Sequence, residues 1–190
     1  MSPINNIRVA GGVARGHRLK GAVTPGVRPT SERARAAIFN VLPPWVLEDA
    51  RVLDLFAGTG SLGIEALSRG AAWGDFVERN RRQHQALVAN LEATGFRLQS
   101  QAYCADVARM MGNLPGPYQL VLLDPPYKME NLDEFMASLG NTPNLVDEDG
   151  IVVVGHSRHV SLAREYGDLS LESNRRYGDN LVDFYRRGGN

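Results

Sequence analysis

The chain has 190 residues, 43% hydrophobic and 22% charged, a balance that fits one ordinary folded domain and excludes a disordered chain or two large domains. Its single cysteine, Cys104, excludes an intrachain disulfide and an all-cysteine zinc site, and its longest apolar runs, such as Leu120 to Leu123, are far too short to cross a bilayer. The net charge of zero hides an asymmetry: residues 1–35 carry Arg8, Arg15, Arg18, Lys20, Arg28, Arg33 and Arg35 against Glu32 alone, so this segment is +6 and the remainder −6.

In chain order, Ile7-Arg8-Val9 and His17-Arg18-Leu19 are short β-like stretches around Gly11, Gly12 and Gly16, which predicts a small hairpin. Residues 23–29, with Pro25, Gly26 and Pro29, read as a loop. Thr30 or Ser31 then caps a helix whose apolar positions Ala34, Ala37, Ile38, Val41 and Leu42 keep helical spacing until Pro43 and Pro44 end it. Residues 1–43 therefore form a small subdomain, or a lid, on a main domain of residues 44–190. Its basic charge suits a polyanionic partner, and also suits an ordinary solvated segment.

From Arg51 the pattern alternates. Strands are predicted at Arg51–Phe56, Asp75–Glu78, Ser100–Cys104 (with Cys104 buried), Tyr118–Asp124 and Ile151–Val154. Helices fall at Ser61–Arg69, Arg79–Thr94, after Asp106, and at Leu132–Leu139. Such alternation argues for a parallel sheet covered by helices on both faces. At the end, Leu169–Ser173 and Leu181–Tyr185 flank residues 175–180 with no room for a crossover helix, so these two strands must pair antiparallel. The histidines His17, His84, His156 and His159 lack metal-ligand spacing, and no metal is predicted. The N-terminus has no signal-peptide core, which with the lone cysteine predicts a soluble protein of the cytoplasm.

Two motifs carry chemistry. The first, Asp54-Leu55-Phe56-Ala57-Gly58-Thr59-Gly60-Ser61-Leu62-Gly63, sits at a strand-to-helix turn, the context in which glycines let backbone approach a ligand. Glu78 lies 20 positions after Gly58, at the end of the second strand, where an acid binds ribose hydroxyls. Asp54 would repel a pyrophosphate but tolerates a cationic ligand such as S-adenosylmethionine, the favoured reading; the alternative is a cap of the loop or helix. The second motif, Asp124-Pro125-Pro126-Tyr127, follows an apolar strand. It offers a carboxylate, a carbonyl freed by the rigid prolines and a flat ring, a set that matches an exocyclic amine on a planar base.

Asp124-Pro125-Pro126-Tyr127 resembles the amino-methyltransferase signature, and Asp54-x-Phe56-x-Gly58-x-Gly60 the adenosylmethionine motif of the same superfamily. The stretch Arg8-Val9-Ala10-Gly11-Gly12, Arg15-Gly16, Pro25 to Arg33 and Phe39-Asn40 is similar to the RsmD family of bacterial 16S rRNA guanine-N2 methyltransferases, as is Gly178 in the terminal hairpin. One departure is Gly155, where many relatives are expected to carry glutamate.

The resemblance implies a class I, Rossmann-like α/β methyltransferase: a mostly parallel seven-stranded sheet ending in an antiparallel hairpin, with a small N-terminal extension. S-adenosylmethionine, leaving as S-adenosylhomocysteine, would be held by Arg28, Thr30, Asp54, Phe56, Ala57, Gly58, Gly60, Glu78, Arg79, Asp106 and Val107, with Glu78 on the ribose and Asp106 on the adenine amine. Asp124, Pro125, Pro126 and Tyr127 would hold a flipped guanine. From their charge and position, Arg15, Arg18, Lys20 and Arg33 of the basic arm and Arg175 and Arg176 of the terminal hairpin either contact RNA or form a solvated surface. The implied partner is 16S rRNA, within a small ribosomal subunit or assembly intermediate and met by a monomer. Two alternatives stay open: a DNA amino-methyltransferase, and a non-catalytic rRNA assembly factor.

Overall fold

The computed structural model describes residues 7–21, 32–126 and 128–188. The predicted loop at 23–29, the cap at Thr30 or Ser31, and Arg28 and Tyr127 lie outside them.

The elements run β1 (Ile7–Arg8), β2 (Arg18–Leu19), α1 (Glu32–Val41), β3 (Arg51–Leu55), α2 (Ser61–Ser68), β4 (Trp73–Val77), α3 (Arg81–Ala93), β5 (Ser100–Tyr103), α4 (Val107–Met110), β6 (Tyr118–Leu123), α5 (Leu132–Gly140), β7 (Val146–Ser157), β8 (Glu165–Tyr166), β9 (Leu169–Tyr177) and β10 (Asn180–Arg187). Among the described residues, β1 and β2 form a separate antiparallel pair, and the other eight strands form one sheet in the order β5-β4-β3-β6-β7-β10-β9-β8. The strands from β5 to β7 pair parallel, while β10 enters antiparallel between β7 and β9.

This is the expected Rossmann-like methyltransferase sheet with one addition. The two-residue edge strand β8 makes eight strands rather than seven, and two residues leave no periodicity to read. The chain winds outward from β3 to β4 and β5, then crosses back to β6. The order therefore reverses between β3 and β6, and open α/β sheets bind ligands beyond the strand ends at such a point.

Buried strands with apolar residues on both faces explain why the centre holds. One face packs Val52, Phe76, Leu120 and Val153 against Ile38 and Phe39 of α1, Ile64 of α2, and Leu87 and Leu91 of α3. The other packs Leu53, Val77, Val121 and Val152 against Val107 of α4 and Phe135 and Met136 of α5. Val9, Ala14 and Leu19 of the hairpin join the first of these clusters. No helix among the described residues is long and apolar enough to cross a membrane.

Several boundaries differ from expectation. β7 begins at Val146, because the acidic Asp147-Glu148-Asp149 masks its first half; an irregularity between Tyr118 and Leu120 absorbs the mismatch with β6. β4 starts at Trp73, two residues early. α3 starts after Asn80, whose side chain accepts from the Arg82 and Gln83 amides, so Arg79 precedes the helix. Arg175 and Arg176 belong to β9, paired with Val182 and Leu181, and are not in the turn. Cys104 follows β5 and is exposed, not buried. Arg35, one of the basic arm's charges, is buried to 1% exposure.

Buried polar residues fasten the hairpin to the sheet's helices. Glu65 accepts from the Ala10 amide at 2.7 Å. The Ser68 hydroxyl accepts from the Ala14 amide at 2.9 Å and donates to the Gly11 carbonyl at 2.6 Å. The Asn90 amide accepts from Lys20 N (2.8 Å) and donates to the carbonyls of Lys20 (2.7 Å) and Thr59 (2.9 Å). One side chain of α3 thereby joins the hairpin stem to the glycine turn.

Candidate active site

The glycine turn is built from both ends. Asp54, at the end of β3, is buried, and its Oδ2 accepts from the Gly63 amide at 2.8 Å in the first turn of α2. A Cβ at Gly63 would lie 2.3 Å from the Phe76 ring, so only glycine lets α2 approach β4 here. Glu78, leaving β4, accepts from the Gly58 amide (2.8 Å) through Oε2 and the Asn80 amide (2.6 Å) through Oε1. Two carboxylates from neighbouring strands thus hold the turn's amides. The bond to the Gly63 amide gives Asp54 a capping role in the turn.

Between them Phe56 takes φ 62°, a left-handed backbone that a bulky side chain rarely adopts. Strain of this kind gathers at ligand sites. The Phe56 ring meets Phe135 edge-on, with centroids 5.4 Å apart. Phe56 lines a cavity of about 540 Å³ with Arg79, Asp106, Val107, Pro126 and Met129 among its walls. That volume is in the range of small-molecule sites, and an aromatic ring and a valine beside an arginine and an aspartate suit a nucleoside. Asp106 caps α4, its Oδ1 accepting from the Ala108 and Arg109 amides; among the described residues nothing bonds its Oδ2. Of the predicted cofactor residues, Phe56, Arg79, Asp106 and Val107 meet in this cavity, while Asp54, Ala57, Gly58, Gly60 and Glu78 build the turn outside its lining.

Burial pushes the Asp54 carboxyl up to about 8, helped by the nearby Asp124 and Glu78 charges and opposed by the Gly63 amide. An unfolded aspartate ionises near 3.9, so across roughly pH 4 to 8 the folded chain holds a proton that the unfolded chain lacks. Stability from this group is therefore complete at low pH and lost as pH rises through about 8. Urea unfolding at pH 5, 6.5 and 8 is expected to show a decline, at most about 1.4 kcal/mol per pH unit from this one proton, that Asp54→Asn reduces. Parallel curves for the two proteins would contradict it.

The second motif leaves β6. Asp124 is half-buried, Pro125 buried and Pro126 exposed. Asp124, Pro125 and Pro126 border a narrow cleft of about 20 Å³, together with Ala34 of α1, Gly155 and His156 of β7, Tyr177 of β9 and Asn180 of β10. Pro126 and Met129 line both this cleft and the larger cavity, so the two are separated by one loop. Gly155 stands beside the acid: a Cβ there would lie 3.3 Å from Asp124 Oδ1, tight contact that its absence relieves. His156 is buried, its Nδ1 donating to the Ser157 carbonyl at 3.0 Å and its Nε2 3.2 Å from Asp183 Oδ2. Among the described residues no cluster of side chains could hold a metal.

Arg15, Arg18, Lys20, Arg33, Arg175 and Arg176 are all exposed, and none forms an ion pair with a described residue. The β9–β10 hairpin, which carries the last two, also supplies Tyr177 and Asn180 to the cleft.

A reversed-order parallel sheet with an antiparallel β10, a strained glycine turn and an Asp-Pro-Pro loop beyond its strand ends defines a class I methyltransferase fold. The chain belongs to the family described as "Conserved hypothetical protein 95", whose model matches residues 7–186. It is 34% identical over 186 residues, 96% of this chain and 100% of the relative, to the Bacillus subtilis protein named "Putative rRNA methyltransferase YlbH". It is 39% identical over 147 residues, 77% of this chain and 73% of the relative, to the Escherichia coli protein named "Ribosomal RNA small subunit methyltransferase D". The solved structure titled "Putative methyltransferase yhhF from Escherichia coli" superposes with a TM-score of 0.81 at 31% identity, covering 97% of this chain and 99% of that one.

Proposed function

We propose that this protein transfers a methyl group from S-adenosylmethionine to the exocyclic N2 amine of a guanine in 16S rRNA of the small ribosomal subunit. The observation that carries the reading is the shared wall of Pro126 and Met129. It puts a nucleoside-sized cavity on one side and the Asp124 carboxylate on the other. The names of the Bacillus and Escherichia relatives support the rRNA substrate and the methyl transfer.

The bound cofactor supplies an electrophilic methyl on a sulfonium, which becomes a neutral thioether. Phe56 and Val107 would lie against its adenine, Asp106 Oδ2 would accept from the adenine amine, and Glu78 would accept from the ribose hydroxyls with the lone pairs its amide bonds leave unused. Arg28 and Thr30, within the 1–43 extension, are the residues assigned to the methionine end of the cofactor. The guanine amine is a poor nucleophile because its lone pair is delocalised into the ring. Asp124 and the Pro125 carbonyl accept its two N–H bonds and favour the positive charge that develops on nitrogen. Tyr127 would stack on the base and fix its approach, and the amine, as it gains the methyl, gives one proton to Asp124 or to water. Fixing the two partners across one loop can supply a large share of the acceleration, about 7–11 kcal/mol in the best cases.

Labelled methyl transfer to small-subunit particles, naked 16S rRNA and duplex DNA tests the reading. Label in guanine N2 of small-subunit RNA is expected. Label in DNA alone would give the DNA enzyme instead, and binding without label an assembly factor.

In the same reading the exposed basic residues grip phosphates. Charge reversal of Arg15, Arg18 and Lys20 together is expected to weaken RNA binding and reduce the log–log salt slope by about 0.7 to 0.9 for each phosphate no longer neutralised. Identical slopes for wild type and variant would make the hairpin a solvated surface only.

A further inference from the structure

The buried residues of α3 are Leu87, Asn90 and Leu91, and of these only Asn90 is polar, at 1% exposure. A buried amide costs free energy unless its polar atoms are paired. Here the bonds leave the helix: Oδ1 accepts from the Lys20 amide, and Nδ2 donates to the carbonyls of Lys20 and Thr59. Lys20 follows β2 at the end of the hairpin stem, and Thr59 stands between Gly58 and Gly60 of the glycine turn.

Lys20 fixes which way round the Asn90 amide stands. A backbone N–H only donates, so it takes the oxygen, at 2.8 Å, and the NH2 end must face the carbonyls. The stem thereby aims a donor at Thr59, whose carbonyl accepts it at 2.9 Å. The other edge of the same peptide, the Gly60 N–H, donates to the Ala57 carbonyl at 2.7 Å. One peptide plane of the turn is thus held from both sides. Gly60 has φ 83°, and glycine leaves such a conformation easily unless its neighbours fix it. Stem and turn also meet directly: a Cβ at Gly21 would lie 2.4 Å from Thr59 Cγ2. Glu78 holds the peptide before Gly58, and Asn90 the one before Gly60.

We propose that Asn90 is a positioning residue for the cofactor: oriented by the Lys20 backbone, its amide locks the Thr59–Gly60 peptide and so presets the glycine turn against which S-adenosylmethionine lies. The inference rests on the placement of the cofactor at that turn given above. It makes the backbone of the hairpin stem part of the frame of the cofactor site, separate from what the exposed side chains of the hairpin bind.

Asn90→Ala and Asn90→Asp test it. Aspartate keeps the shape and still accepts from the Lys20 amide, but it turns an oxygen towards two carbonyls. By calorimetry both variants are expected to bind adenosylhomocysteine about three- to tenfold more weakly, the scale of one lost hydrogen bond, with Asn90→Asp the weaker binder. The KM for S-adenosylmethionine should rise by the same factor, with kcat at saturating cofactor within about twofold, because Asn90 does not touch the reacting atoms. A purely structural Asn90 would lower the urea midpoint alone. Unchanged adenosylhomocysteine affinity in both variants overturns the proposal.

Amide hydrogen exchange reads the peptide itself, with neither ligand nor RNA. The Gly60 N–H is expected to exchange about tenfold faster in Asn90→Asp, while the amides of β3 in the middle of the sheet keep their protection. Gly60 exchange at the wild-type rate overturns the proposal. Should one variant not fold, the other decides by the same criteria. Weakened binding and faster Gly60 exchange in the variants, with no methyl reaching RNA from the wild type, would fail the function and support the inference. Methylated RNA from the wild type, with cofactor affinity unmoved in the variants, would do the reverse.

Discussion

Asp124→Ala is expected to lower kcat by a factor of about 10² to 10³ or more, the scale for deleting one fixed electrostatic partner of a developing charge. Adenosylhomocysteine affinity should stay within about twofold, because Asp124 lines the cleft and not the larger cavity. Melting temperature should change little, because Asp124 is half-buried and loss of a partly solvated carboxylate leaves fewer stranded partners than loss of a buried one. Asp124→Asn separates two roles for the group. It keeps an acceptor oxygen but lacks the charge, so if acceptance alone mattered it would recover much of the rate. Recovery limited to a few per cent points to the charge. Turnover of Asp124→Ala at more than a tenth of wild type would remove Asp124 from the reacting atoms.

Glu78→Ala is expected to damage both binding and folding, which distinguishes it from Asp124→Ala. Two amides, of Gly58 and Asn80, lose their acceptor at a position 9% exposed. An unpaired buried donor costs about 1–3 kcal/mol, so a fall in unfolding free energy of about 2–4 kcal/mol is expected from the pair. Adenosylhomocysteine should bind at least about tenfold more weakly, since the turn relaxes and the proposed ribose contact goes with it. Glu78→Gln leaves one oxygen to accept and should recover most stability but not all affinity. Urea unfolding and calorimetry read the two effects separately; wild-type stability in Glu78→Ala would mean the two amides find other partners.

The sheet and both motifs are legible in the sequence because their signals are local. Apolar runs such as Tyr118–Leu123 give parallel strands, and the Asp54–Gly63 and Asp124–Pro126 segments are contiguous. What escapes such a reading depends on tertiary burial. Glu65, Ser68 and Asn90 look like solvent-facing helix residues, yet they fasten the hairpin to α2 and α3. Arg35 counts as one more arginine in a basic arm until the fold encloses it. The spacing of Glu78 marks it as a ribose ligand, whereas its two bonds to backbone amides follow from how β4 sits beside β3. The cleft joins Gly155, Tyr177 and Asn180 from strands far apart in the chain, so no window of sequence contains it.

The cleft beside Asp124 encloses about 20 Å³, little more than one water needs. A purine is larger than this space and is expected to enter as the walls part, and a free nucleotide has few atoms with which to drive that opening. In the proposed function a folded RNA would grip the protein far from the reacting amine and put that remote binding energy into widening the cleft. On the proposed function, free guanine nucleotides are therefore expected to compete poorly, held off by size and energetics without a dedicated filter. Small molecules that block the protein should instead compete at the 540 Å³ cavity, where entry requires no such distortion.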